Sequence, residues 1–243
     1  MDRGLYIAAS GMIADQVRQD QIANDLANVS TTGYKADRSA QRSFGDMLLS
    51  ERDTGQTVGH VSLGTEIAEI RTNLAPAPLK QTDEPLDIAI DGPGFLAVKT
   101  AAGTRYTRNG QLSLGPDGTL ETAAGDPVLG ADGQPLKLSG QGRLEIAADG
   151  AVTTNGQPQG KLALVDLTGV AKQGATLFTG TPTATPPAGT AIRQGFLEAS
   201  GVNTAQAMVD MMTSMRAYES VQRVIHAIDD SLGRGIQAAA TGS

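Results

Sequence analysis

Chemistry in this 243-residue chain would have to come from a sparse set of side chains: two histidines, His60 and His226, no cysteine, and 26 acidic residues. A Ser-His-Asp arrangement would need one of those histidines, and neither sits in a recognisable nucleophile setting. Without cysteine there is no disulfide and no thiolate metal site. Asp-Gly recurs at Asp117-Gly118, Asp132-Gly133 and Asp149-Gly150, but no D-x-D-x-D-G calcium loop is present, so turn chemistry accounts for these pairs. Gly92-x-Gly94 and Gly140-x-Gly142 lack a third glycine and a following helix, which argues against nucleotide binding. The sequence implies no catalytic, cofactor or metal residue. Paired carboxylates acting as acid and base would be invisible to spacing, so a glycan hydrolase using acids of the middle region stays as an alternative.

Bulk properties narrow the class further. The net charge of -7 gives no electrostatic reason for nucleic acid or an anionic membrane as partner. No apolar run reaches the roughly 18 residues a membrane span requires. Met1-Asp2-Arg3 is barely charged and Asp15 soon breaks the apolar stretch, so the start does not read as a secretory signal. Thirty glycines, eleven prolines and 3% aromatics point to a turn-rich β component with a lean core.

The elements that must organise the chain lie at its two ends. From Asn203 to Ile236, apolar residues fall at Met208, Met211, Met215, Tyr218, Val221, Ile225, Ile228, Leu232 and Ile236, in steps of three or four. That is the seam of a coiled coil, widened on one side by Val209, Met212 and Val224. Such a helix spans about 50 Å and needs other long helices beside it. Residues 3 to 29 read as a second helix with Leu5, Ala8, Met12, Ile22, Leu26 and Val29 on its seam. Ser30-Thr31-Thr32-Gly33 stops it, with Gly33 suited to a left-handed conformation.

Between them, Ser43–Leu49 is expected as a short helix, Arg52–Gly59 as a loop holding a polar Gly/Thr stretch, and Gly64–Arg71 as a strand. Leu86–Ile90 and Phe95–Val98 alternate as strands across a turn at Asp91–Gly94. Asn109-Gly110, Asn155-Gly156 and the Asp-Gly pairs are expected as hairpin turns with positive φ at both central residues. The fold class is therefore α+β: terminal coiled-coil helices with an inserted antiparallel β domain, a sandwich or open barrel. Expected boundaries are 1–35 for the first helix, 36–82 for a connecting segment, 83–180 for the β domain, 181–202 for a returning linker and 203–243 for the last helix.

Four motifs, the second in two pieces, resemble those of one family. Ala23-Asn24-Asp25-Leu26-Ala27-Asn28-Val29-Ser30-Thr31-Thr32-Gly33-Tyr34-Lys35 is similar to the signature of bacterial flagellar rod and hook proteins, with Asp25 and Ser30 where Asn is common. Pro85-Leu86-Asp87-Ile88-Ala89-Ile90-Asp91-Gly92-Pro93-Gly94-Phe95 and Tyr106-Thr107-Arg108-Asn109-Gly110 resemble its second hallmark, with Leu96 and Leu112 where Phe is usual. Glu198-Ala199-Ser200-Gly201-Val202-Asn203 resembles its third, Gly201 replacing an Asn, and Arg216-Ala217-Tyr218-Glu219 matches a motif in its last helix. The resemblance implies a non-enzymatic subunit of the flagellar basal-body rod. It implies self-polymerisation through the terminal helices, contact with other rod and hook proteins, and export by the flagellar apparatus without a cleaved signal. The short length and the Met-Asp-Arg start favour the proximal rod type, with a distal rod or hook-type protein as the alternative. A monomeric β binding module remains as a reading from a different class.

Overall fold

The computed structural model describes residues 2–43, 46–50, 57–62, 64–139, 142–183 and 189–241. The chain is α+β, with a helix near each end and an antiparallel β-rich region between, and it divides into two compact units.

The first unit comprises Met1–Ala27, Asp37–Arg71 and Asn203–Ser243. Helix α1 runs Asp2–Ala27 and helix α2 runs Thr204–Thr241. Asn203 caps α2: its side-chain oxygen accepts the backbone N–H of Gln206 at 3.1 Å, satisfying a donor the first helical turn leaves free. The helix continues through Gly233 and Gly235, each of which weakens it by about 1 kcal/mol relative to Ala. A side chain at Gly4 would reach Ile228, while the Ser214 hydroxyl faces the Asp15 carbonyl at 3.5 Å. Early α1 thus meets late α2, and the two helices run antiparallel. Strands Asp37–Ser43 and Thr65–Thr72 pair with each other, as do Asp46–Ser50 and Thr57–Ser62.

That second pairing corrects two expectations. Within the stretch Ser43–Leu49 the described residues are strand rather than helix: Met47, Leu48 and Leu49 lie opposite Val61, His60 and Gly59 in an antiparallel ladder, and residues 44 and 45 lie outside the described residues. An apolar run of three, Met47 to Leu49, carries no period that separates helix from strand, and the partner segment decides. For the same reason Thr57–Gly59 is strand rather than loop; residues 51–56 lie outside the described residues, as does the His60 side chain.

The second unit comprises Asn28–Ala36 and Thr72–Val202. Its largest sheet has the order Leu164–Val165, Phe95–Thr100, Gly103–Thr107, Leu177–Pro182, Leu167–Gln173, antiparallel throughout. The strand Phe95–Thr100 is buried on both faces, so its alternation feeds two cores. Leu96 and Val98 join Ile88, Ile90, Val128 and Val152 in the larger one, while Phe95 and Ala97 join Tyr106, Leu129 and Phe178 in the smaller. Smaller ladders complete the unit, including Leu144–Ile146, Ala151–Thr154 and Gln157–Lys161 in that order.

The turns depart from expectation in detail. Asn155-Gly156 has φ of 51° and 77° and closes a two-residue hairpin between Thr154 and Gln157. At Asp117-Gly118, Asp132-Gly133 and Asp149-Gly150 only the glycine is left-handed. There the aspartate accepts the N–H two residues on, from Thr119, Gln134 and Ala151, which is an Asx turn. Asn109-Gly110 is no hairpin turn. Neither residue has positive φ, and a Cβ on Gly110 would overlap the Ile88 carbonyl oxygen, so close backbone approach explains this glycine.

Candidate functional site

Three separate stretches of the second unit meet at one buried cluster of charge. Lys35 follows the left-handed Gly33, Arg108 follows the strand Gly103–Thr107, and Glu198 ends the strand Phe196–Glu198. The Lys35 ammonium donates to Glu198 Oε1 at 2.6 Å and to the Ala75 carbonyl at 2.7 Å. Ala77 N–H donates to the same Oε1 at 2.8 Å. Arg108 reaches Glu198 Oε2 at 3.3 Å and the Gly92 carbonyl at 2.7 Å, with its guanidinium 5.3 Å from the centre of the Phe95 ring. The side chains of Lys35, Glu198 and Arg108 are 0%, 1% and 3% exposed.

The backbone locks the same place. Gly33 N–H donates to the Glu198 carbonyl and Gly201 N–H to the Tyr34 carbonyl, both at 2.9 Å. Gly33 has φ of 68°, and a Cβ there would lie 2.5 Å from the Arg108 carbonyl carbon and the Asn109 nitrogen. Only glycine satisfies both the conformation and the contact. Thr32 donates to the Asn109 side chain at 2.7 Å. Lys172 donates to the Lys35 carbonyl at 2.7 Å and sits 3.9 Å from the centre of the Tyr34 ring.

Two cations share one carboxylate here. Burial is the largest influence on Lys35 and holds its pKa below the ordinary lysine value, against the pull of Glu198 in the other direction. A lysine of lowered pKa is a chemical nucleophile in principle. This one is sealed from solvent with its ammonium committed to two acceptors, so the arrangement ties segments together rather than meeting a substrate.

The residues read from the sequence distribute unevenly. Gly33, Tyr34, Lys35, Asp87, Gly94, Phe95, Tyr106, Thr107, Arg108, Gly110 and Glu198 are buried. Leu86, Gly92, Asn28, Val29, Ser200 and Val202 are partly buried, whereas Asn24, Ala27, Asn203, Arg216 and Glu219 are exposed. On the helices, Met12, Ile22, Leu26, Met211, Ala217, Tyr218, Val221, Ile225, Ile228 and Leu232 are partly buried. Leu5, Met208, Met215 and Ile236 are exposed, along with Tyr6, Ile13, Val209, Met212 and Val224. The closest helix packing falls on small residues that an apolar search passes over: Ala14, Ala207 and Ser214 are buried. Their signal was the seven-residue step from Ala207 to Ser214.

Comparison with known proteins gives three family models that match the chain: "Flagella basal body rod protein" over residues 5–35, "Flagellar hook protein FlgE/F/G D1 domain" over residues 89–154, and "Flagellar basal body rod FlgEFG protein C-terminal" over residues 193–238. The chain is 33% identical to the flagellar basal-body rod protein FlgF of Escherichia coli (strain K12), over 98% of each chain. It is 33% identical to the FlgF of Caulobacter vibrioides, over 93% of each. To the flagellar basal-body rod protein FlgG of Bacillus subtilis (strain 168) it is 31% identical, over 96% of this chain and 97% of the relative.

Proposed function

The chain belongs to the flagellar basal-body rod protein family, and on that premise we propose that it is a structural subunit of the rod, located in the basal body and working beside other rod and hook proteins. The finer reading is that copies polymerise through α1 and α2 as coiled coils, after export by the flagellar apparatus. Residues 1–35 and 203–243 are the rod-core segments in this reading, with 36–82 connecting, 83–180 an inserted β domain of sandwich or open-barrel type, and 181–202 the return. Its work is mechanical, the transmission of torque along a stiff shaft, and no reaction is assigned to it.

The observation that carries the reading is the apolar surface left on paired helices. Met208, Val209, Met212 and Met215 are each about half exposed on α2, and Tyr6 and Ile13 are more exposed still on α1. Adjacent exposed apolar side chains on this scale mark an interaction surface. Electron microscopy of the purified protein at rising concentration tests it directly: fibres are expected for the native chain and none for Met215→Asp. A Met215→Asp variant that still forms fibres and supports swimming would defeat the helix-mediated model. The proximal position is the finer reading within the rod. It predicts that the gene restores motility to a strain lacking FlgF and fails in one lacking FlgG; the reverse result would assign the distal rod.

A further inference from the structure

The second unit carries a cleft of about 700 Å³ that the rod reading does not use. That size falls in the range of sites for ligands or short chain segments. Its floor is apolar. Leu86, Leu138 and Leu144 pack on the outside of the larger core, and Leu114 projects with 50% of its surface exposed. The cleft is also built rather than incidental. The Gln194 amide joins its walls, donating to the carbonyls of Pro85 at 2.7 Å and Leu144 at 3.0 Å while accepting from Ile146 N–H at 3.1 Å.

Two features ask for an occupant. Thr154 lines the cleft at 5% exposure, and its hydroxyl has no hydrogen-bond partner among the described residues. A buried hydroxyl left unpaired is costly, and this one belongs to a residue of the cleft lining, where a small side-chain rotation would offer it to a polar group. The charge around the rim is uneven: Asp83, Glu84 and Glu145 stand against Arg143 alone, and Arg143 is already 3.3 Å from Glu145. Two carboxylates are therefore uncompensated within the lining. The strand Leu112–Leu114, which brings Leu114 to the cleft, has a ladder partner on one side, Leu120–Thr122; its other edge is bridged only at Gln111, by Asp87, and has no named partner strand beyond it among the described residues.

We propose that this cleft binds an extended basic polypeptide segment of a partner protein, its apolar side chains on the leucine floor, its cations at the acidic rim and a backbone group on the Thr154 hydroxyl. Strand addition at an open edge, with pockets for alternate side chains, is a common mode of such recognition. The site lies wholly within the second unit and does not depend on the rod reading.

The test uses the full-length protein and two fluorescein-labelled peptides, acetyl-Lys-Leu-Lys-Phe-Lys-amide and acetyl-Glu-Leu-Glu-Phe-Glu-amide, followed by fluorescence anisotropy. Saturable binding of the basic peptide is expected, at least about tenfold tighter than the acidic one, and weakened several-fold at high salt as exposed charges are screened. Leu114→Ser and Thr154→Val should each weaken it. Because Thr154→Val alters a buried position, the exposed double variant Glu84→Lys/Glu145→Lys is the decisive arm: it should reverse the preference between the peptides. Equal binding of both peptides, no saturable binding, or an unchanged preference in the double variant would each overturn the proposal.

Discussion

Replacing Glu198 by Gln removes one charge and almost no volume, and the structure says what that leaves behind. Lys35 and Arg108 would remain buried with no counter-charge, and the new amide would present N–H groups to donors already facing it. Removing one partner of a buried ion pair typically costs about 3–5 kcal/mol, because the abandoned charge stays desolvated. For a unit of this size each kcal/mol lowers the melting temperature by about 3 °C, so Glu198→Gln should melt about 10–15 °C below the native chain. The chain has no Trp and four Tyr. Near-ultraviolet circular dichroism therefore reports tyrosine packing, including the buried Tyr34 beside Lys172. The triple variant Lys35→Met/Arg108→Leu/Glu198→Leu should recover part of the loss, since it removes the abandoned charges, but not all of it, because Ala77 N–H and the Ala75 and Gly92 carbonyls lose the partners they have here. A Glu198→Gln protein melting within about 3 °C of native would show that the cluster is hydrated or incidental, and the reasoning would fail.

Four further outcomes follow from the same geometry. Lys35 has a folded-state pKa below its unfolded value, so the unfolded chain holds more protons between the two; stability should rise with pH through that alkaline window, and Lys35→Met should flatten the rise in urea titrations at several pH values. Gly33→Ala forces a side chain into the Arg108–Asn109 backbone at a left-handed position and should cost at least about 2 kcal/mol, read as a shift in urea midpoint. Ile225→Asp should weaken the helix pair itself, because Ile225 is partly buried, whereas Met215→Asp at 52% exposure and Arg223→Ala should leave the free protein's helical melting nearly unchanged. Asp117 lies below the usual carboxylate range, held first by the Thr119 hydroxyl and then by Lys137; Asp117→Asn keeps an acceptor for the Thr119 N–H but loses the charge, so it should melt slightly lower at neutral pH, converge on the native chain at low pH, and so lack that residue's share of the stability lost on acidification.

What was legible in the sequence was whatever short-range periodicity and turn chemistry encode. Both terminal helices follow from three- and four-residue apolar steps, and the strands at Ile88–Asp91 and Phe95–Thr100 from alternation around a glycine turn. Gly33 was readable as a helix stop, and its φ agrees. Its second reason, the backbone of Arg108 lying against it, was not. Motif resemblance singled out Lys35, Arg108 and Glu198 individually, yet Lys35 and Glu198 are 163 positions apart, and no local pattern says that two cations will share one carboxylate. The strand pairing of Asp46–Ser50 with Thr57–Ser62 was hidden because an apolar run of three takes its conformation from its partner. Asn109-Gly110 misled for a related reason: the dipeptide that marks a tight hairpin also serves where one chain must press against another.

The reciprocal pair of backbone hydrogen bonds between Gly33–Tyr34 and Glu198–Gly201 alters the folding problem that α1 and α2 face. Measured along the chain, the helices are separated by a loop of more than 170 residues. Once the second unit has folded, that loop is closed, and the path from one helix to the other across the clasp is only about ten residues long. The closure entropy of joining them falls by about 2.5 kcal/mol, four doublings of length at about 0.6 kcal/mol each. The clasp thus acts on the helix pair much as a cross-link would, in a chain that has no cysteine to make one. If the β-rich unit condenses first, the helices then close as a short hairpin rather than across the whole chain.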